Sequence, residues 1–132
     1  MVALLENLGM RPSLVLAHPN PIYAASVSRS FRRLGWTVSQ AQTGPAARQL
    51  ARTLLADLVV LAIDLPGESG WLTCAKLIGE RPGTHAVLIG DNLAPTDPEF
   101  ARFVGAAGLY LLSAGARPLL QHAQQIDPTP VG

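Results

Sequence analysis

Few side chains in this sequence have the type and spacing for chemistry. His18 stands alone in the turn-forming run LAHPNP, where a neutral imidazole would suit zinc or copper, although a lone His in a Pro-rich loop is more often a turn residue. Asp64, Glu68, Asp91, Asp97 and Glu99 could gather into an acidic mouth that holds a cation weakly, although acids at helix starts also answer the helix dipole. Asp64 is also the nearest acid to the end of the apolar run DLVVLAI, and reads as a solvated loop residue or a cap. Arg29/Arg33 and Arg48/Arg52 lie at i, i+4 and read as exposed, solvated faces. Cys74 falls mid-helix and reads as a small buried hydrophobe. Trp36, Trp71 and Tyr110 read as core or edge packing, with Tyr110 the best placed to anchor an interface. No nucleophile–base pair can be assembled from these residues, so an enzyme is the least favoured reading.

The bulk numbers narrow the class. The chain has the length of one domain, is 48% hydrophobic and 14% charged, and carries a net charge of +1. A charged fraction below the usual value of about 25% argues against disorder. Near-neutrality argues against direct nucleic-acid binding and against a membrane surface. Charge is split along the chain: residues 1–56 hold six Arg and one acid, residues 57–132 four bases and eight acids. A single cysteine cannot form an internal disulfide, which fits a reducing, cytoplasmic setting. The opening MVALLENLGMRPS has no signal-peptide pattern, and no run approaches the roughly 18 apolar residues of a membrane span.

The elements that must position these residues alternate. SLVLA (13–17), WTVSQAQ (36–42), DLVVLAI (57–63), HAVLIG (85–90) and GLYLLS (108–113) are of strand length. The continuous apolar runs predict strands covered on both faces. Between them, Ala24, Val27, Phe31 and Leu34 give one helical stripe, and Ala47, Leu50, Ala51 and Leu54 a second. Trp71, Cys74 and Ile78 give a third. Thr43 is placed to cap the second helix. The run Thr96-x-x-Glu99 resembles a capping box for a fourth helix whose Phe100, Phe103 and Val104 point inward. A last helix spans 116–126. Five β-α units predict an α/β fold, a doubly wound parallel sheet of order 2-1-3-4-5 between two helical layers. Residues 1–12 read as an N-terminal extension, 13–126 as the domain and 127–132 as a flexible tail.

At the third strand the sequence runs Asp57, Val59, Leu61, Leu65, Pro66, Gly70, in register with the pattern D-x-V-hydrophobic-L-D-x-x-hydrophobic-P-x-x-x-G of receiver domains of two-component response regulators. GAAG (105–108) is similar to the turn before that family's fifth strand. The resemblance covers residues 13 to about 124. It implies a flavodoxin-like fold and, in working members, phosphoryl transfer to an Asp, with Mg²⁺ held by two acids after strand one and the phosphoryl oxygens bound by a hydroxyl after strand four and a Lys after strand five. Carried over residue by residue, the nucleophile falls on Ala62, the acid pair on His18 and Pro19, the hydroxyl on Gly90, and the Lys on Leu112, or on Ser113 if the strand slips by one. The aromatic switch residue falls on Leu109 or, with the same slip, Tyr110. The loop at His18 lacks the D-x-H-x-x-G of cobalamin-binding domains, and no Ser/Thr/Gly run is present to cradle a flavin phosphate.

The expectation is therefore a pseudo-receiver with no phosphoacceptor, metal or cofactor, acting independently of phosphorylation. It would work by protein–protein contact, as a dimer or docked to another regulator in a phosphorelay or transcriptional pathway. The fourth helix, fifth strand and fifth helix would carry the contact, with Arg102, Phe103, Tyr110 and Arg117 as the candidate interface. The alternative is a small-ligand sensor using the rim at His18, Ala62 and Gly90.

Overall fold

A computed structural model describes residues 11–126. Residues 1–10 of the extension read from the sequence at 1–12, and the whole tail at 127–132, lie outside the described residues. Five strands form one parallel sheet: β1 (Ser13–Ala17), β2 (Thr37–Ala41), β3 (Leu58–Ala62), β4 (His85–Gly90) and β5 (Gly108–Leu111), in the order β2-β1-β3-β4-β5. Helices α1 (Pro21–Arg33), α2 (Gly44–Leu54), α3 (Gly70–Glu80), α4 (Asp97–Phe103) and α5 (Arg117–Ile126) alternate with the strands. Right-handed crossovers put α1, which leads from β1 out to β2, on one face. The same rule puts α2, α3 and α4, which lead the other way, on the opposite face.

The apolar runs explain the middle of the sheet. Every residue of β3 is buried, as are Leu14–Ala17 and Ala86–Gly90. A strand covered on both sides needs no polar alternation, and these show none. β2 and β5 are the edges and are correspondingly more exposed: only Ala41 of β2 is buried, and no residue of β5 is. Registers pair Ala17 with Leu61 and Ala62 with Ile89, so the ends of β1, β3 and β4 share one rim. Asp57 fastens the opposite end, where its Oδ2 accepts from the Ser13 amide at 2.8 Å.

Local chemistry sets the helix ends. Asn20 Oδ1 accepts from the Ile22 amide, Thr43 caps α2 through the Ala46 amide, and Ser69 caps α3 through the Leu72 amide. Gly35, at φ 90°, turns the chain out of α1 into the edge strand.

Four sequence expectations change here. α4 lies with Ala101 and Val104 on the sheet, while Phe100 is exposed and Phe103 is 86% exposed. α4 is short and packs closely on β5, so small side chains fit beneath it and large rings do not. Thr96 makes no side-chain cap bond; instead Asp97 Oδ2 accepts from the Ala94 amide at 2.7 Å. Leu54, next to the left-handed Leu55 that ends α2, faces outward. β5 stops at Leu111, and residues Leu112–Ala114 coil into a 3₁₀ turn that takes Ser113 out of the sheet.

Candidate functional site

The rim over β1, β3 and β4 is the topological switch point of the sheet, where ligands bind in doubly wound folds. Ala62 ends β3 there and is fully buried. The chain then turns through Ile63–Ser69 and returns with Gly70 against the strand end. The Gly70 amide donates to the Ile63 carbonyl at 3.0 Å. A Cβ on Gly70 would overlap the Ala62 carbonyl oxygen, so this return admits only glycine. The frame of the loop is thus tight, while the side chain at its centre is a methyl group.

Gly90 ends β4 beside it. A Cβ there would lie 2.7 Å from Ile63 Cδ1 and 3.1 Å from Leu93 Cδ2. Two apolar side chains therefore fill the space where a hydroxyl would reach toward Ala62. Beyond β5, Leu112 is half-buried and Ser113 exposed.

His18 follows β1 and is buried, whereas Pro19 is exposed. The His18 Nδ1 accepts from the Asn20 amide at 2.9 Å, which places the proton of the neutral ring on Nε2. That Nε2 is buried with no partner among the described residues, and so is the Tyr23 hydroxyl. The two rings lie 4.5 Å apart, centroid to centroid. Burial lowers the His18 pKa, against the opposing pull of the Asp64 and Asp91 carboxylates. Burial, helped by Asp91, pushes Tyr23 up to about 12. Tyr23 escaped the sequence reading; its only signal was its position on the first turn of a helix capped by Asn20.

These residues do not fit Mg²⁺. That ion wants hard oxygen donors. His18 offers nitrogen already directed to the backbone, and Pro19 and Ala62 offer no donor atom. Among the described residues, no group of three or more His, Cys, Asp or Glu side chains converges to hold a metal. The acidic mouth breaks up as well, because Glu68 turns away from the rim.

Glu68 is buried between α2 and α3. Its Oε1 accepts from Arg48 Nε at 3.1 Å and Thr73 Oγ1 at 2.8 Å; its Oε2 accepts from Arg48 Nη2 and Lys76 Nζ, both at 3.2 Å. Arg48 Nη1 also donates to Glu80 at 2.5 Å. Burial alone would raise the Glu68 pKa, but the bonds from Arg48, Thr73 and Lys76 outweigh it and hold the carboxyl below its ordinary value. Gly44 makes room for this cluster, since a Cβ there would overlap Thr73 Oγ1. Arg48, expected on a solvated face, is instead the bidentate arm that ties α2 to the loop after β3. Arg29, Arg33 and Arg52 are exposed as expected.

The candidate interface residues separate into two kinds. Arg102 and Phe103 on α4 and Arg117 on α5 are exposed. Tyr110 is half-buried, and its hydroxyl lies 2.8 Å from His122 Nδ1 on α5, so it is engaged within the chain. Cys74 is fully buried, and burial raises its thiol to about 11. No helix among the described residues is long and apolar enough to cross a membrane.

The fold is that of a response-regulator receiver domain. A receiver domain from Methanospirillum hungatei superposes with a TM-score of 0.82 at 18% identity, over 89% of this chain and 95% of that one. The receiver domain of the putative response regulator NarL from Mycobacterium tuberculosis matches at 25% identity and a TM-score of 0.76, over 86% and 97% of the two chains.

Sequence relatives point the same way. The chain is 33% identical over 81 residues, 61% of its length, to the probable transcriptional regulatory protein TcrX of M. tuberculosis. It is 31% identical over 91 residues, 67% of its length, to the response regulator GacA of Pseudomonas aeruginosa. The matches span only 35% and 42% of those relatives' own lengths. No family model matches the chain. Relatives and structures together support a receiver domain of the response-regulator class.

Proposed function

We propose that this chain is a pseudo-receiver, a signalling module that works by protein contact and does not accept a phosphoryl group. The observation that carries the reading is Ala62, a fully buried methyl at the end of β3 where the resemblance calls for an acceptor carboxylate. Phosphoryl transfer needs a nucleophile and charge neutralisation around the moving group. His18, Pro19, Ala62, Gly90, and Leu112 or Ser113 supply neither at the positions the resemblance assigns. The Glu68–Arg48 clamp adds a second support, because it ties the β3–α3 loop to α2 and opposes movement there.

The relatives are named as transcriptional regulatory proteins and response regulators, and we assign this chain to bacterial control of that kind. It acts as a homodimer or docked to another regulator, through α4, β5 and α5, where Arg102 and Arg117 are exposed. Incubation with acetyl phosphate and Mg²⁺, followed by intact mass measurement, tests the reading. The expected result is an unchanged mass, and a stable adduct of one phosphoryl group would overturn it.

A small-ligand sensor is favoured by one observation, the pair of buried groups His18 Nε2 and Tyr23 Oη, which have no partner among the described residues. Ile63 and Leu93 close the Gly90 side of the rim, so such a ligand would be confined to the His18–Tyr23 side.

A further inference from the structure

The outer surface where α3 meets α4 carries a cluster of three rings, of which Trp71 also packs against the core while Phe100 and Phe103 are exposed. Trp71 on α3 and Phe100 on α4 meet edge to face at 4.9 Å. Phe100 and Phe103 lie stacked at 6.2 Å. Phe103 is 86% exposed and Phe100 41%. The three rings line an open cleft together with Thr96, Asp97 and Glu99. Asp97 accepts a bond from the Ala94 amide, and Glu99 forms no salt bridge with any described residue.

We infer that this cleft is a docking site for a partner protein segment that presents arginine beside an aliphatic residue on one helical or extended face. Two independent features select that chemistry. The ring faces carry negative electrostatic potential and attract a cation, guanidinium best of all because it also stacks flat. The Asp97 and Glu99 carboxylates on the same rim add charge complementarity, so a cationic head meets them while its stem and an aliphatic neighbour cover the rings. A neutral apolar segment would leave Glu99 unanswered, and an acidic one would be repelled. Large exposed rings of this kind form the energetic centre of interfaces when a partner covers them.

The inference rests on the protein-contact half of the proposed function and adds a contact on the α3 side of α4, beside the α4-β5-α5 face. It is independent of the phosphorylation half, so a phosphoryl adduct on the chain would leave it standing.

The test is calorimetric titration of the whole chain with an amphipathic helical peptide carrying leucines and arginines on one face, and with its twin bearing glutamates in place of the arginines. Amide and indole chemical shifts report the location. The expected result is binding of the arginine peptide only, with shifts at Trp71, Glu99 and Phe103 and an affinity that falls as salt rises. Phe103→Ser should weaken it by about tenfold or more, and Glu99→Lys by several-fold. Both residues are exposed, so neither change threatens folding. Equal binding of the two peptides, no binding, or indifference to both substitutions would overturn the inference. So would a concentration-dependent dimer that Phe103→Ser abolishes, since the occupant would then be a second copy.

Discussion

Two flanks of the same helical layer treat their side chains in opposite ways. Between α2 and α3, charged groups are sunk and paired: Glu68 accepts from Arg48, Thr73 and Lys76, and Arg48 reaches on to Glu80. Between α3 and α4, aromatic rings stand in water, and Glu99 beside them has no partner among the described residues. The first flank is finished within the chain. Its energy is tied up in holding the β3–α3 loop still. The second is unfinished, and its apolar area can be used only by something outside the described chain. A switching receiver would need the reverse, a mobile loop at the site, so the contrast supports a domain kept for contact.

The contrast can be broken most sharply at its hinge. Gly70 lets α3 begin directly on the end of β3. Gly70→Ala drives a Cβ into the Ala62 carbonyl, a backbone atom that cannot rotate away. We expect a loss of about 3 kcal/mol or more in urea unfolding, at the upper end of overpacking costs. A loss below about 1 kcal/mol would mean that the loop is looser than the geometry shows.

Next is the clamp itself. Glu68→Ala removes the carboxylate and strands Arg48 and Thr73 in a half-buried site. Breaking a buried ion pair costs about 3–5 kcal/mol, and the partly exposed Arg48 and Lys76 reduce this to about 2–3. The same residue predicts a pH dependence. Its folded pKa is depressed, so its contribution is present above the unfolded carboxylate pKa and is lost as pH falls through the lower, folded value. The stability gap between wild type and Glu68→Gln should therefore be largest near neutrality and close in acid. A gap that stays constant with pH would assign the role of Glu68 to shape rather than charge.

How much of this could be read from the sequence depended on which force decided each residue. Continuous apolar runs at 13–17, 57–63 and 85–90 mark strands because nothing else buries so many β-branched and leucine side chains in a row. The sheet order follows from handedness once those strands are placed. The glycine at 70 and the alanine at 62 were also readable, because one-residue features of a patterned loop keep their register. The two flanks were read the wrong way round. Arg48 and Arg52 share an i, i+4 spacing, which says that they share a face but not what lies opposite it; the Glu68 that buries Arg48 comes from a loop 20 residues on. Phe100 and Phe103 looked inward because large rings are strong burial signals, yet the small Ala101 is what fits beneath a helix lying close to its strand. The tilted contact of Tyr23 with His18 left no pattern at all, since neither ring belongs to an apolar stripe.

A cap separates the rim from both flanks and gives a smaller effect. Asn20 receives two amides at the start of α1 and gives its own amide to His18 Nδ1. Asn20→Ala should cost about 1 kcal/mol through the lost cap while keeping the backbone bond to His18. A larger loss would show that the side chain also orders the His18–Tyr23 pair, and an exchange-broadened His18 ring signal would accompany it.

The smallest effect sharpens the comparison most. Phe103→Ser removes the largest exposed apolar side chain of α4 and should change stability by no more than about 0.5 kcal/mol, since a ring that is 86% exposed has little burial to lose. Glu68→Ala and Phe103→Ser would then differ several-fold in stability, with the order reversed in any assay of partner binding. Denaturant unfolding of both variants side by side decides it. If Phe103→Ser proves as damaging as Glu68→Ala, the ring is covered in solution by some part of this chain or by a second copy. The α3–α4 flank would then be as finished as its neighbour, and the reason for reading it as a docking surface would be gone.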